Sequence, residues 1–168
     1  MFLPKPSHPS CPSRLRLNRP RTIYDAELES SYGALDVEGR TVVDIGADCG
    51  SSAWYFLQKG ATKVICYEAD EDQYQELIKN CRGDNRVEPH RRWNGESVDG
   101  DVLKVDCEGC ELALTGEFFV KFKHFAIAIH PYMYPTHTYR RIRDLLTGNG
   151  AILTVVTPDS QEEMYVRP

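Results

Sequence analysis

The chain has 168 residues, 41% of them hydrophobic and 27% charged, with a net charge of −5. That balance describes one soluble domain long enough to bury a core. No apolar run reaches the ~18–20 residues of a membrane span, and the first residues lack a signal-peptide apolar segment, so a membrane partner is excluded and a cytoplasmic setting is expected.

Charge is unevenly placed. Residues 1–24 carry Lys5, Arg14, Arg16, Arg19 and Arg21, no acid and five of the ten prolines; without those positives the remainder carries −10. Residues 1–21 therefore read as a basic, proline-rich arm ahead of a single domain over 22–168. The arm is either a loosely draped extension or a lid that contacts an anionic, phosphate-bearing substrate. The acidic body argues against a broad nucleic-acid surface. Six cysteines are scattered through expected strands and turns, which fits reduced thiols better than a disulfide framework. Cys107 and Cys110 form a C-x-x-C, but no second pair or histidine pair completes a zinc site, and no metal is expected.

Taken in chain order, Asp25–Gly33 reads as a short helix with an acidic first turn. Arg40–Ile45 is a buried strand by composition. Ser51–Lys59 reads as a helix that a serine can cap and Gly60 ends. Lys63–Tyr67 is a second strand ending in Glu68. Asp70, with Gln73 three residues on, resembles a capping box that opens a helix through Cys81. Arg86–Arg92 is a third, weaker strand and Asp101–Val105 a fourth, followed by Asp106 and a turn at Glu108-Gly109. Residues 111–122 read as helical with an interruption at Gly116. Phe125–Ile129 is a fifth strand that ends at His130-Pro131, and Thr138–Leu146 is an amphipathic helix stopped by Gly148. Ala151–Val156, a turn at Pro158-Asp159-Ser160 and Glu163–Val166 form a closing hairpin. Alternating strands and helices imply a mostly parallel sheet covered on both faces, with one antiparallel strand.

In such sheets ligands sit beyond the carboxyl ends of the strands. Four of those ends are polar: Asp44-Ile45-Gly46, Glu68-Ala69-Asp70, Asp106-Cys107-Glu108-Gly109 and His130-Pro131-Tyr132. Gly46 and Gly50 would let backbone approach a ligand, with helix N–H groups behind them. Their spacing, D-x-G-x-x-x-G, is neither the dinucleotide fingerprint nor a P-loop. Glu68 lies about twenty residues on, where an acid takes ribose hydroxyls.

Asp44-Ile45-Gly46-Ala47 with Gly50 and then Glu68 resembles the S-adenosyl-L-methionine (SAM) site of class I methyltransferases. The fuller wording, VVDIGADCGSSAWYF…GATKVICYEAD…VLKVDCEGCE…IAIHPY, resembles the FkbM-type family over about residues 32–156. The resemblance implies a three-layer, Rossmann-like fold with a seven-stranded sheet of order 3-2-1-4-5-7-6. It also implies SAM as methyl donor, S-adenosyl-L-homocysteine as product and an oxygen acceptor. It places Gly46, Ala47 and Gly50 against the methionine part and Glu68 on the ribose. Asp44 would orient the loop or reach the methionine ammonium. Ala69 and Asp70 would stand beside the adenine, with Trp93 or Asn94 closing over it, and Asp106 near the sulfonium and the acceptor.

Removal of a proton from a hydroxyl acceptor needs a base; His130 and Asp106 are the candidates, with a hydrogen-bonded strand-end histidine as the alternative for His130. Glu108 is either functional or the cap of the following helix. Asp106, Glu108 and His130 together are a minority candidate for holding a divalent cation. The absence of an Asn-Pro-Pro-aromatic tetrad after the fourth strand tilts the reading toward O-methylation of a small or carbohydrate-like hydroxyl compound. RNA methylation guided by the basic arm and a non-catalytic SAM-binding or interaction module are the alternatives.

Overall fold

The structure is a computed structural model that describes residues 21–157 and 162–168, with side chains from residue 26 onward. The readings of residues 1–20 as an arm or lid, and of a turn at Pro158-Asp159-Ser160, lie outside the described residues. Seven strands form one sheet: β1 (Thr41–Ile45), β2 (Lys63–Glu68), β3 (Val87–Arg91), β4 (Val102–Val105), β5 (His124–Ile129), β6 (Ile152–Val156) and β7 (Glu163–Arg167). Their order is β3-β2-β1-β4-β5-β7-β6, as expected. β7 is the antiparallel strand, paired with β5 on one side and β6 on the other.

Strand alternation divides the core into two layers. Val42, Val64, Val102 and Ala126 face one side, where they meet Leu28, Tyr32, Phe56 and Leu77 from α1 (Arg21–Tyr32), α2 (Ser51–Gln58) and α3 (Glu71–Asn80). Val43, Ile45, Leu103, Val105, Phe125 and Ile127 face the other, against α4 (Gly116–Lys121) and α5 (Thr136–Gly148). The second layer is aromatic: Phe119 meets Phe125 edge-on at 5.0 Å and Phe118 meets Trp93 at 5.3 Å. Each such buried ring contributes about 1.5–3 kcal/mol through area alone. No helix among the described residues is long and apolar enough to cross a membrane.

Three local expectations change. α1 begins at Arg21, ahead of the acidic residues, because no glycine or proline interrupts Arg21–Tyr24; it also takes Arg21 out of the expected arm. α2 is not capped by a serine: its N-cap is Gly50, in the left-handed region at φ 94°. Residues 111–122 divide into a 3-10 turn at Cys110–Ala113 and α4, which starts at Gly116 itself. The Asp70 cap of α3 is present, its carboxylate accepting the Gln73 N–H at 3.0 Å.

Candidate active site

The carboxyl ends of β1, β2, β4 and β5 open into a cavity of about 900 Å³, walled on one side by Leu28 and Tyr32 of α1. Its floor is the β1–α2 loop. Gly46 has φ 81°, and a Cβ there would lie 1.7 Å from the Asp106 carbonyl oxygen. Only glycine lets the ends of β1 and β4 approach so closely. Asp48, with φ 51°, continues the left-handed turn without being glycine, an uncommon conformation for such a residue.

Behind this loop sits a buried ion pair. Asp44 and Lys104 are register partners on β1 and β4, and alternation points both to the same face. Lys104 Nζ lies 2.9 Å from Asp44 Oδ1, donates to the Gly46 carbonyl and stands 5.8 Å from the Tyr32 ring centre. Ser52 donates to the other Asp44 oxygen at 2.6 Å. Burial works against the Lys104 ammonium, but Asp44 and Asp106 outweigh it and hold its pKa above the ordinary value.

At the β2 end, Glu68 fastens two loops. One carboxylate oxygen accepts the Asp48 N–H at 2.8 Å and the other the Asp70 N–H at 2.7 Å. Each oxygen keeps a second lone pair, and Glu68 lines the cavity. Trp93, just past β3, is buried and lines the same cavity, its indole N–H donating to the Glu96 carbonyl at 2.9 Å.

At the β4 and β5 ends, Tyr32 donates to Asp106 Oδ2 at 3.0 Å. His130 lies between two acids, with Nε2 3.8 Å from Asp106 Oδ1 and Nδ1 3.5 Å from Glu111 Oε1. Burial lowers the imidazole pKa, yet Glu111 and Asp106 more than offset this and leave it above the ordinary value. Burial raises the Glu111 carboxyl in turn, and hydrogen bonding with His130 and from backbone N–H groups, Gly109 among them, brings it below the usual range. Glu111 is 1% exposed.

Among the residues expected at the site, Gly46, Glu68, Ala69, Asp70, Trp93, Asp106 and His130 line the cavity. Asp44 and Ala47 are fully buried behind it. Gly50 starts α2, and Asn94 is exposed, its N–H held by Glu96 at 2.7 Å. Glu108 lines the cavity but does not cap the next turn: the N-cap is Gly109, and Glu111 accepts its N–H at 2.7 Å. Cys107 and Cys110 are joined as a disulfide, against the expectation of reduced thiols there, while Cys49 is a buried free thiol. The ligand atoms of Asp106, Glu108 and His130, the minority cation candidate, do not cluster; among the described residues those that do belong to Cys107, Cys110 and Glu111.

Lys104, Tyr32 and Glu111 escaped the sequence reading. A lysine inside the apolar strand VLKV was the one available signal, since a buried cation demands a partner. Glu111 closes the DCEGCE block quoted for the resemblance, though no role is read for it there, and Tyr32 carries no local signal, because its role arises from packing across the strand ends.

No protein-family model matches the chain. It is 37% identical over 142 residues to uncharacterized protein 65 of Sulfolobus islandicus filamentous virus (isolate Iceland/Hveragerdi), covering 83% of this chain and 87% of that protein. With uncharacterized protein 158B of Sulfolobus islandicus rod-shaped virus 1 the identity is 40% over 149 residues, covering 86% and 91%. The chain belongs to the family of these viral proteins.

Its fold is shared more widely. Aeropyrum pernix fibrillarin, solved with natively bound SAM, superposes with a TM-score of 0.59 at 17% identity, over 84% of this chain and 72% of that one. Magnesium protoporphyrin IX methyltransferase (ChlM) of Synechocystis PCC 6803, also with bound SAM, gives 0.56 at 16% identity, over 88% and 79%. A TehB-like SAM-dependent methyltransferase of Corynebacterium glutamicum gives 0.57 at 10% identity, over 85% of each chain. These likenesses show the class I methyltransferase fold and leave the FkbM-type resemblance resting on its motifs.

Proposed function

We propose that this protein is a SAM-dependent methyltransferase that acts on a hydroxyl group of a small or carbohydrate-like compound. The observation that carries the reading is the cavity's division between two chemistries: Glu68 and Trp93 at the β2 and β3 end, and Lys104, Asp106 and His130 at the β4 and β5 end. An adenosyl amino acid fits that division. The free lone pairs of Glu68 suit vicinal ribose hydroxyls. The Trp93 side chain offers an apolar wall to a base, and the Lys104 ammonium suits a carboxylate. The Gly46 turn keeps the floor low enough for close approach. When bound, SAM supplies an electrophilic methyl group on a sulfonium whose departure leaves a neutral thioether.

The chain's own task is alignment and proton removal. Asp106, fixed by Tyr32 at 3.0 Å, and His130, held between Asp106 and Glu111, are the groups in place to accept the hydroxyl proton. With SAM bound, one of them would take the proton that the acceptor oxygen gives up on methylation.

Isothermal titration with S-adenosyl-L-homocysteine tests the cofactor. Binding to the wild type, weakened at least about tenfold in Glu68→Ala through loss of charge-assisted hydrogen bonds, is expected. No binding to the wild type would remove the reading. His130→Ala should lower turnover on an acceptor panel with cofactor binding retained, and full turnover would eliminate His130 as the base.

A further inference from the structure

The loop after β4 carries a second chemistry that methyl transfer does not use. Cys107 and Cys110 are bonded across a Cα–Cα distance of 5.7 Å. The fully buried Glu111 carboxylate lies against them, with Oε2 3.5 Å from Cys107 Sγ. The ligand atoms of all three residues lie within 4.8 Å of one another. Both cysteines line the cavity.

We propose that, in the dithiol state, Cys107, Cys110 and Glu111 bind a thiophilic divalent cation of the Zn²⁺ class. With Zn–S bonds of about 2.3 Å and Zn–O bonds of about 2.0 Å, a tetrahedral site places sulfur and oxygen ligands about 3.5 Å apart. The Cys107–Glu111 separation already has that value. A C-x-x-C turn is a common way to offer two thiolates to one ion, and soft thiolates select Zn²⁺ over oxygen-loving cations. His130 Nδ1, 3.5 Å from Glu111 Oε1, holds the other carboxylate oxygen and orients the ligand from outside.

The disulfide and the metal site are mutually exclusive states of one sulfur pair. A dithiol or phosphine reductant supplies two electrons and is itself oxidised, the S–S bond breaks, and two protons complete the thiols. Binding of the cation then releases those protons as the sulfurs become thiolates. Two thiolates and one carboxylate leave a fourth position, open toward the cavity because both cysteines line it. That is the ligand count of a site that keeps a place for water or an incoming hydroxyl.

The test uses the full chain, with Co²⁺ as a spectroscopic probe and Zn²⁺ as its competitor, and needs no SAM. After phosphine reduction under argon, one Co²⁺ per chain should bind with strong thiolate charge-transfer absorption, which one equivalent of Zn²⁺ bleaches. The unreduced protein should show neither. Cys110→Ser should lose most of the charge-transfer band, and Glu111→Gln should weaken Zn²⁺ binding at least about tenfold. Circular dichroism of both variants checks folding, with the isosteric serine as the milder change. The proposal is overturned if the reduced wild type binds no Co²⁺, if the band is absent, or if folded Cys110→Ser gives an unchanged spectrum. Unchanged Zn²⁺ affinity in folded Glu111→Gln would remove the carboxylate from the site.

Discussion

Asp44 and Lys104, register partners on adjacent parallel strands, form an ion pair of 2.9 Å whose side chains are 0% and 3% exposed. Two charges in the middle of a sheet are stable only as a pair, because either alone keeps the full cost of leaving water. Lys104 further ties the pair to the Gly46 carbonyl, so the strand-end loop inherits its position from it. Lys104→Met or Asp44→Asn should each cost about 3–5 kcal/mol of stability. The double variant should lose clearly less than the sum, because no charge is then stranded. Urea unfolding of the four proteins measures the cycle, and strictly additive losses would contradict the coupling.

Gly46 offers a sharper steric test. Its φ of 81° and the 1.7 Å approach of a Cβ to the Asp106 carbonyl oxygen leave no room for alanine. The obstacle is backbone on both sides, so no side chain can swing away. Gly46→Ala should pry the β1 and β4 ends apart, cost at least about 1–3 kcal/mol in strain, and abolish S-adenosyl-L-homocysteine binding. Gly116→Ala serves as the control, since a Cβ there meets nothing within 4 Å. Equal melting temperatures for the two variants would contradict the packing argument.

Much of this architecture is legible in the sequence because strands buried on both faces read as apolar runs and their polar ends stand out against them. Asp44, Glu68, Asp106 and His130 were visible for that reason. Strand register was not, and so the partner that neutralises Asp44 could not be named, although Lys104 interrupts an apolar strand in plain view. Tyr32 reaches Asp106 across 74 positions of chain, a contact no local pattern encodes. The cysteines misled for a related reason: their scatter argued for free thiols, while the Glu108-Gly109 turn, with φ values of 48° and 129°, folds two of them together.

Cys49 is a buried thiol in the β1–α2 loop. Burial pushes its pKa up to about 12, with Asp48 adding to the effect. At about pH 8 only roughly one molecule in ten thousand then carries the reactive thiolate. Iodoacetamide at that pH should leave the Cys49 peptide unmodified in the native, reduced protein and label it after unfolding. Peptide mass mapping reads the outcome, and rapid native labelling would contradict the buried, acid-flanked setting.

The docking of α1 supplies a pH-dependent test. Glu29 accepts hydrogen bonds from the Tyr55 hydroxyl at 2.9 Å and from Lys59, 2.6 Å away, tying α1 to α2. Lys59 first, and then Tyr55, holds the Glu29 carboxyl below its ordinary value of 4.5. A carboxyl whose folded pKa is depressed contributes stability that is fully present above the ordinary value and lost as pH falls through the lowered one. The pair is about half exposed, at 43% and 55%, so screening keeps the contribution below about 1 kcal/mol. Glu29→Gln should therefore be slightly less stable than wild type near neutrality, and the gap should close on acidification below the lowered pKa. Urea midpoints measured on both sides of that window decide it: a gap that is unchanged or wider in acid would show that Glu29 holds α1 by shape and not by charge.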